Sequence, residues 1–360
     1  MEVKARVIAY YLPQFHPIPE NDQWWEKGFT EWTNVGKAKP LFKGHYQPRV
    51  PADLGYYDLR VAETRSAQAD MAREYGIEGF CYWHYWFGDG KRLLERPFNE
   101  VVENKQPDFP FCLAWANESW KGFAHGLKNR NTLIEQLYPG AEDYKNHFYA
   151  LLPAFKDKRY ITVDGKILFA IYKPLQHPDL ELFISLWQSL AIENGLEGFY
   201  FVGHTSFVEE IDSILARGID AVNINRIFSY LHSERTIWRR LIDKMKNYIF
   251  GMPMVYRYDK MTKYFIGSEE QKKHIFPTIV PNWDHSPRSG KEGVVFHNST
   301  PETFGRHVSE VIHAVENKEK EYKLVFLKSW NEWAEGNYME PDRKWGLSYL
   351  ETLKKIIKLS

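Results

Sequence analysis

Short apolar runs alternate with longer amphipathic segments along this chain of 360 residues. Eight runs are rich in β-branched, aromatic and aliphatic residues, and each ends in polar or aromatic residues, which predicts a strand. They cover Arg6 to Leu12, Gly79 to Trp86, Phe111 to Ala116, Ile167 to Tyr172, Phe199 to Val202, Ala221 to Ile224, Ile275 to Val280 and Leu324 to Leu327. The segments between them are long enough for helices, such as Leu59 to Tyr75, so the pattern predicts repeated βα units.

Eight strands with polar carboxyl ends are typical of a (β/α)8 TIM barrel, an α/β fold that builds its active site on that face. An open doubly wound sheet could also contain eight such runs. That fold usually carries a glycine-rich phosphate loop after one strand, and the sequence has none. We therefore predict a single-domain barrel over residues 1–360, with long βα loops over its C-terminal face.

Two long segments interrupt this alternation. The first, about 17–58, follows the first run and would lie over the barrel mouth as a lid or subsite wall. The second, about 228–267, places apolar residues at helical spacing among basic ones. Its apolar residues are Trp238, Leu241, Ile242, Met245, Tyr248 and Ile249, and its basic residues are Arg235, Arg239, Arg240, Lys244 and Lys246. We expect an amphipathic helix packed on the barrel, in preference to an interfacial membrane anchor at about 235–250.

The aromatic content adds a first indication of function. Aromatic residues make up 16% of the chain, with 13 Trp, and they gather beside polar and acidic residues. The flat face of a sugar stacks on an aromatic ring while carboxylates and amides bind its hydroxyls. The grouping therefore indicates a carbohydrate site, with filling of a large core as the alternative for any single ring.

Charge and motif content exclude several other functions. Basic and acidic residues both number 47, so no field of one sign could steer a nucleic acid, and we predict no nucleic-acid partner. The 13 histidines show no metal-ligand spacing, so we predict neither a metal nor a cofactor. Cys81 and Cys112 lie in apolar runs and are expected to be buried free thiols.

The amino-terminal residues run directly into the first predicted strand, and their apolar region is too short for a signal peptide. No apolar run approaches the roughly 20 residues of a membrane-spanning helix. We therefore expect a cytoplasmic protein without a transmembrane segment. The oligomeric state is left open.

The strongest candidate for chemistry is the pair Glu332 and Glu335, which follows the eighth run between Trp330 and Gly336. Cleavage or transfer at an acetal needs a proton for the leaving oxygen and a second carboxylate across the anomeric carbon. A spacing of three on a turn can bring both side chains to one face. Repulsion between them and burial beside tryptophans would raise the pKa of one. A solvated acidic helix face is the alternative.

Other strand ends and loops supply candidate substrate-binding residues. These are Tyr11, His16, Trp25, Glu31, Trp32, His84, Trp86, Asn117, Glu118, Tyr172, His204, Asn225, Trp283, Asp284, Asn331 and Trp333. The alternative for each is a core-capping residue satisfied by the backbone. For Asp284, the alternative is an ion pair with His285 and Arg288 under the seventh loop.

The chain resembles the WbsX-type family of bacterial polysaccharide-cluster proteins, which is similar to the glycoside hydrolase family 99 endo-α-mannosidases. Six segments carry the resemblance: Tyr10 to Pro17, Gly28 to Val35, Tyr82 to Phe87, Trp115 to Glu118, Pro281 to Asp284 and Ser329 to Gly336. The hydrolases use a Glu-x-x-Glu pair at the last of these. The resemblance thus implies that Glu332 is the base and Glu335 the acid/base. It also implies retention through attack of the sugar's own 2-hydroxyl on the anomeric carbon.

The sequence therefore predicts a retaining, endo-type glycoside hydrolase or transglycosidase. Its expected substrate is an α-linked, mannose-like oligosaccharide or polysaccharide of a bacterial surface. One alternative is a nucleotide-sugar glycosyltransferase of O-antigen or capsule biosynthesis, although the sequence shows no DxD motif and no doubly wound pattern. The other alternative is a carbohydrate-binding barrel without catalysis.

Overall fold

Eight parallel strands close into a barrel in the computed structural model, which describes residues 3–122, 127, 131–230 and 236–359. The strands are β1 Arg6–Tyr11, β2 Gly79–Trp86, β3 Phe111–Trp115, β4 Lys166–Ile171, β5 Phe199–Thr205, β6 Ala221–Ile224, β7 Ile275–Ile279 and β8 Leu324–Leu327. Each strand pairs with its neighbours in sequence, and β1 pairs with both β2 and β8. Each predicted run overlaps one of these strands, and the predicted TIM barrel is confirmed.

The strands are buried on both faces, as parallel strands covered by helices are. Only the first residues of β1 and β4 are not buried, and all eight residues of β2 are. Cys81 of β2 lies beside Cys112 of β3 in register, and both are buried free thiols, as expected.

Twelve helices are present in the described part of the chain. They are α1 Pro19–Trp24, α2 Glu31–Lys37, α3 Ala62–Glu74, α4 Arg96–Asn104, α5 Ala141–Phe155, α6 Leu180–Glu193, α7 Ile211–Leu215, α8 Ile237–Phe250, α9 Tyr258–Met261, α10 Ser286–Ser289, α11 Pro301–Val315 and α12 Ser348–Ile357. Helix α3 is the one predicted from Leu59 to Tyr75. Among the described helices, none is long and apolar enough to cross a lipid bilayer.

The loops after β6 and β7 form a second, smaller apolar cluster, in which Trp283 packs with Ile227, Tyr256 and Phe296. A two-stranded parallel sheet, Met254–Arg257 beside Val294–His297, organises it. This cluster fixes the two loops to each other at the carboxyl end of the barrel. The first long segment is also packed there, because α2 contacts the turn Trp333–Glu335.

The second long segment differs from expectation. Its helix is observed as α8, but the prediction that the apolar face packs on the barrel is wrong, because no residue of α8 is buried. The exposed fractions of Trp238 and Tyr248 are 76% and 88%. Arg235, which was expected to belong to this helix, lies outside the described residues.

Candidate active site

A tight hairpin positions Glu332 and Glu335. The strand Asn331–Glu332 pairs antiparallel with Asn337–Tyr338, and the 3-10 turn Trp333–Glu335 joins them. The hairpin begins four residues after Leu327, the last residue of β8, so both carboxylates lie at the carboxyl end of the barrel. Gly336 ends the turn with φ +67°, and a Cβ there would be 2.7 Å from the Cβ of Asp284. The turn therefore requires glycine for its backbone conformation and for space.

Both glutamates line one cleft of about 270 Å³ at this end of the barrel. Its walls contain the aromatic residues Trp83, Tyr85, Trp120, Tyr172, Phe228 and Trp283, together with the polar residues Gln14, Glu118, His204, Asn225, His285, Arg288 and Lys328. Apolar rings with a few polar groups among them are typical of a small-molecule or sugar site.

Glu332 is buried and hydrogen-bonded at both carboxylate oxygens. The indole nitrogen of Trp83 donates to Oε1 at 2.8 Å, and the Lys328 ammonium lies 3.2 Å from Oε2. Burial raises the pKa of Glu332 and the negative charge of Glu335 adds to the effect, whereas Lys328 opposes it. The net pKa lies above the ordinary value of a glutamate, so this carboxyl group retains a proton more readily.

Glu335 has the opposite electrostatic environment. Arg288 of α10 forms an ion pair with its Oε1, and Lys328 lies 3.9 Å from Oε2. Burial alone would raise the pKa of Glu335, but the positive charges of Arg288 and Lys328 outweigh it and hold the pKa below the ordinary value. Glu31, the first residue of α2, also binds Arg288 at 3.1 Å and so positions the guanidinium.

Two carboxyl groups with opposite pKa shifts beside one cleft are what acetal cleavage needs. One group must give a proton to the leaving oxygen while the other acts as base, nucleophile or water activator. The surrounding side chains favour the proton on Glu332 and the negative charge on Glu335. The family resemblance implies the reverse roles, so a proton would have to reach Glu335 when a sugar occupies the cleft.

The aromatic walls are fixed by stacking. The Trp83 ring stacks on Tyr10 with centroids 4.6 Å apart, and Tyr172 stacks on His204 at 5.1 Å. Burial lowers the pKa of His204 to about 3, and the Oδ1 atom of Asn223 lies 3.0 Å from its Nδ1. His204 is therefore a neutral hydrogen-bonding group near neutral pH, which suits an uncharged sugar hydroxyl.

Seven of the residues predicted from the sequence come together in this cleft: Glu118, Tyr172, His204, Asn225, Trp283, Glu332 and Glu335. Burial raises the pKa of Glu118, and Lys173 opposes the effect. The Oδ1 atom of Asn225 accepts a hydrogen bond from the Ile227 backbone, which orients the amide at the end of β6.

Three predicted residues on β1 and β2 lie outside the cleft, since they belong to the outward face of their strands. Tyr11 donates to Gln68 of α3 at 2.7 Å, and Trp86 donates to Asp143 of α5 at 2.9 Å. His84 lies 2.8 Å from His147 of α5. These side chains bind the barrel to its surrounding helices, and their neighbours Trp83 and Tyr85 line the cleft instead.

Four further predicted residues do not line the cleft and have local partners. The Nδ1 atom of His16 lies 3.0 Å from the Pro13 carbonyl, and the Trp25 ring stacks on Phe29. Trp32 donates to the Tyr57 carbonyl at 2.8 Å. Asn117 is bound to the backbone of Lys173 through both ends of its amide.

The other four, Glu31, Asp284, Asn331 and Trp333, support the hairpin without lining the cleft. Asn331 exchanges two hydrogen bonds with the backbone of Leu12, and Trp333 donates to Glu340 at 2.6 Å. The alternative for Asp284, an ion pair with Arg288, is not formed. Asp284 instead binds His45 at 2.9 Å, and Arg288 binds Glu31 and Glu335.

Sequence reasoning missed the two cations that control the pair. Lys328 directly follows β8, and its position at a strand end beside the motif could have indicated a role. Arg288 lies in the short helix α10 after β7, and the sequence indicates it only as a possible partner of Asp284, because no local pattern relates it to the two glutamates. Among the described residues, no group of three or more His, Cys, Asp or Glu side chains is arranged to hold a metal ion.

Comparison with known proteins gives one matching family and several relatives. The family model described as Glycosyltransferase WbsX matches residues 7–353. Two curated relatives from Xanthomonas campestris pv. campestris, each described as uncharacterized protein WxcX, are 32% identical over 98% of this chain. The chain spans 50% of the length of each of them.

Solved structures share the fold at lower identity. A glycoside hydrolase-like protein superimposes with a TM-score of 0.60 at 17% identity, over 99% of this chain and 94% of that one. The GH99 endo-alpha-mannosidase from Bacteroides thetaiotaomicron gives a TM-score of 0.56 at 13% identity, over 98% and 96% of the two chains. These solved structures therefore share the barrel fold of this chain.

Proposed function

Since the chain belongs to the Glycosyltransferase WbsX family, we propose that it is a glycan-processing enzyme that cleaves or transfers at a glycosidic bond. The proposed reaction is endo-acting and retaining, on an α-linked, mannose-like glycan of a bacterial surface polysaccharide. The observation that carries the proposal is the pair Glu332 and Glu335, buried in one aromatic cleft with opposite pKa shifts. The GH99 endo-alpha-mannosidase with the same fold supports the choice of sugar and of endo action.

In the proposed reaction, one glutamate removes the proton of the sugar's 2-hydroxyl and O2 attacks the anomeric carbon. The bond to the leaving oxygen breaks, and the second glutamate gives that oxygen a proton. Water or an acceptor sugar then opens the anhydro sugar, giving its proton to the second glutamate while O2 regains one from the first. Two inversions give overall retention of configuration. Lys328, within 3.9 Å of both carboxylates, balances their charge throughout.

The test is glycan cleavage by wild type, Glu332→Gln and Glu335→Gln. Bacterial surface polysaccharides and α-mannans are the substrates, and products are sized by chromatography. We expect each variant to lose at least about 10²–10⁴-fold in rate, the usual contribution of an acid–base group. Glu351→Gln, an exposed change on α12, is the matched control and should keep full activity. Near-normal turnover by both site variants would reject the mechanism.

The description of the family as a glycosyltransferase favours a second candidate, transfer from a nucleotide sugar. Doubly wound transferases bind the nucleotide at the switch point of an open sheet, whereas the sheet here closes through β1. Calorimetric titration with nucleotide sugars distinguishes the two functions, because saturable binding would favour the transferase. Tight oligosaccharide binding without turnover, unchanged in Glu335→Gln, would instead favour a binding barrel.

A further inference from the structure

Helix α8 has two chemically distinct faces. At about 100° per residue seven of its eight apolar residues fall within an arc of about 140°, and its charged residues lie outside that arc; the eighth, Phe250, is the last residue of the helix. The apolar arc consists of Ile237, Trp238, Leu241, Ile242, Met245, Tyr248 and Ile249, with exposed fractions from 42% to 88%. Thr236 caps the first turn through the Arg239 amide and Gly251 ends the helix, so both ends of α8 are defined.

The polar face, not the apolar one, binds α8 to the rest of the protein. Arg239 donates to the Val255 carbonyl at 2.7 Å and lies over the Tyr256 ring. Asn247 donates to the Lys291 carbonyl at 2.6 Å, and Asp243 pairs with Arg239. These contacts orient the helix with its apolar arc directed away from the barrel. A monomer rarely exposes such a contiguous apolar patch unless something binds it.

The charges around the apolar arc indicate which kind of surface binds α8. Arg239 and Asp243 neutralise each other, which leaves Arg240, Lys244 and Lys246 as exposed cations along the two edges of the arc. An apolar stripe with basic edges, and with Trp and Tyr on the stripe, suits insertion at the level of lipid headgroups. A second copy of α8 would bring these cations against each other, which disfavours self-association.

We propose that α8 docks this protein on an anionic lipid bilayer. The apolar arc inserts between acyl chains near the headgroups, and Arg240, Lys244 and Lys246 bind lipid phosphates. Helix α8 belongs to the connection that leaves the carboxyl end of β6, the end that also supplies Asn225 to the cleft. Docking therefore holds the candidate active site at a membrane surface.

The test measures sedimentation of the full chain with vesicles. One set contains phosphatidylglycerol mixed with phosphatidylcholine, and the other contains phosphatidylcholine alone. We expect wild type to bind the anionic vesicles, with less binding as salt rises, and to bind the neutral vesicles weakly. The variant Trp238→Ser, Leu241→Ser, Met245→Ser should bind at least about tenfold more weakly, because it loses inserted apolar surface.

Ile192→Ser is the matched control, since Ile192 is 65% exposed on α6, and it should bind like wild type. Far-ultraviolet circular dichroism and the thermal midpoint check that each variant is folded. Failure of wild type to bind anionic vesicles, or equal binding by the triple variant, overturns the proposal. A wild-type dimer that the triple variant makes monomeric, without vesicle binding, would assign the face to a second copy. Glycan cleavage without vesicles is measured separately, so the two proposals fail independently.

Discussion

At the scale of single residues, the central feature is the contrast between two glutamates three positions apart. Glu332 is bound by Trp83 and Lys328, and Glu335 is bound by Arg288, so neighbouring side chains decide which carboxyl group holds a proton. The motif could be found in the sequence. Its electrostatics could not, because Arg288 and Trp83 are distant from the motif along the chain.

The roles of the two glutamates can be separated by the leaving group. A substrate with an activated leaving group, such as an aryl glycoside or glycosyl fluoride, needs little acid assistance. Under the roles that the resemblance implies, Glu335→Gln should keep most of its rate on such substrates and lose it on natural glycans. Glu332→Gln should lose its rate on both. The opposite result, in which Glu332→Gln keeps its rate on activated substrates and Glu335→Gln loses it, would assign the acid role to Glu332, as the directions of the two pKa shifts favour.

Glu340 behind the hairpin should make stability depend on pH. Burial raises the pKa of Glu340 to about 7, although Trp333, Gln68 and Tyr57 donate hydrogen bonds to it. The folded state therefore binds this proton more tightly than the unfolded chain, whose glutamate pKa is about 4.3. Protonated Glu340 stabilises the folded state by about 3 kcal/mol below a pH of about 4.3, and this stabilisation is lost as the pH rises toward about 7.

Urea denaturation of wild type and Glu340→Gln from pH 5 to 8 checks this prediction. Because glutamine does not titrate, the wild-type free energy of unfolding should fall relative to the variant as pH rises. A difference that is constant over this range would show that Glu340 has an ordinary pKa. Glu351→Gln serves as the control for removing a glutamate from an exposed position.

At the scale of elements, the sequence did not show on which face of its strand each side chain lies. The positions of all eight strands could be predicted from apolar runs, but both faces of these strands are buried. Alternation of polar and apolar residues, which would show the direction of each side chain, is therefore missing. Polar character favours His84 over Tyr85, yet Tyr85 lines the cleft and His84 lies against His147 of α5, so a shift of one residue exchanges the cleft face for the helix-packed face.

Trp83 and Trp86 lie on opposite faces of β2, and a substitution at each tests this assignment of faces. Trp83→Phe keeps a ring in the cleft wall but removes the donor to Glu332, so kcat/KM should fall about ten- to a hundredfold. Trp86→Phe removes the donor to Asp143 on the outer face, and should lower the thermal midpoint without changing turnover. An activity loss in Trp86→Phe equal to that in Trp83→Phe would contradict the assignment.

At the scale of the whole molecule, the barrel is closed by its first strand and tied by its last helix. The Lys4 amide donates to the Ile357 carbonyl, and Arg6 forms ion pairs with Glu78 and Glu321. The closed βα pattern could be predicted because each unit repeats the same apolar signal. The outward-facing apolar arc of α8 could not, because an amphipathic pattern shows that a helix has two faces and not which one meets the protein.

Because the barrel is closed by its first strand, we expect a single cooperative unfolding transition, as for one domain. Tryptophan fluorescence reports the barrel and cleft, and far-ultraviolet circular dichroism reports the surrounding helices. The two probes should give coincident urea curves with equal midpoints. Separate transitions would show that the chain contains two independently folding units. The variant Trp238→Ser, Leu241→Ser, Met245→Ser should keep the wild-type midpoint, since no residue of α8 is buried.

The hairpin that carries Glu332 and Glu335 has a consequence for how new specificities arise. The spacing of the two carboxylates is set within one short turn closed by Gly336, so it does not depend on the relative position of two barrel strands. Most cleft walls come from other βα loops, including those after β3, β6 and β7. Sequence drift or directed evolution in those loops can therefore exchange one glycan for another while the reactive pair keeps its geometry.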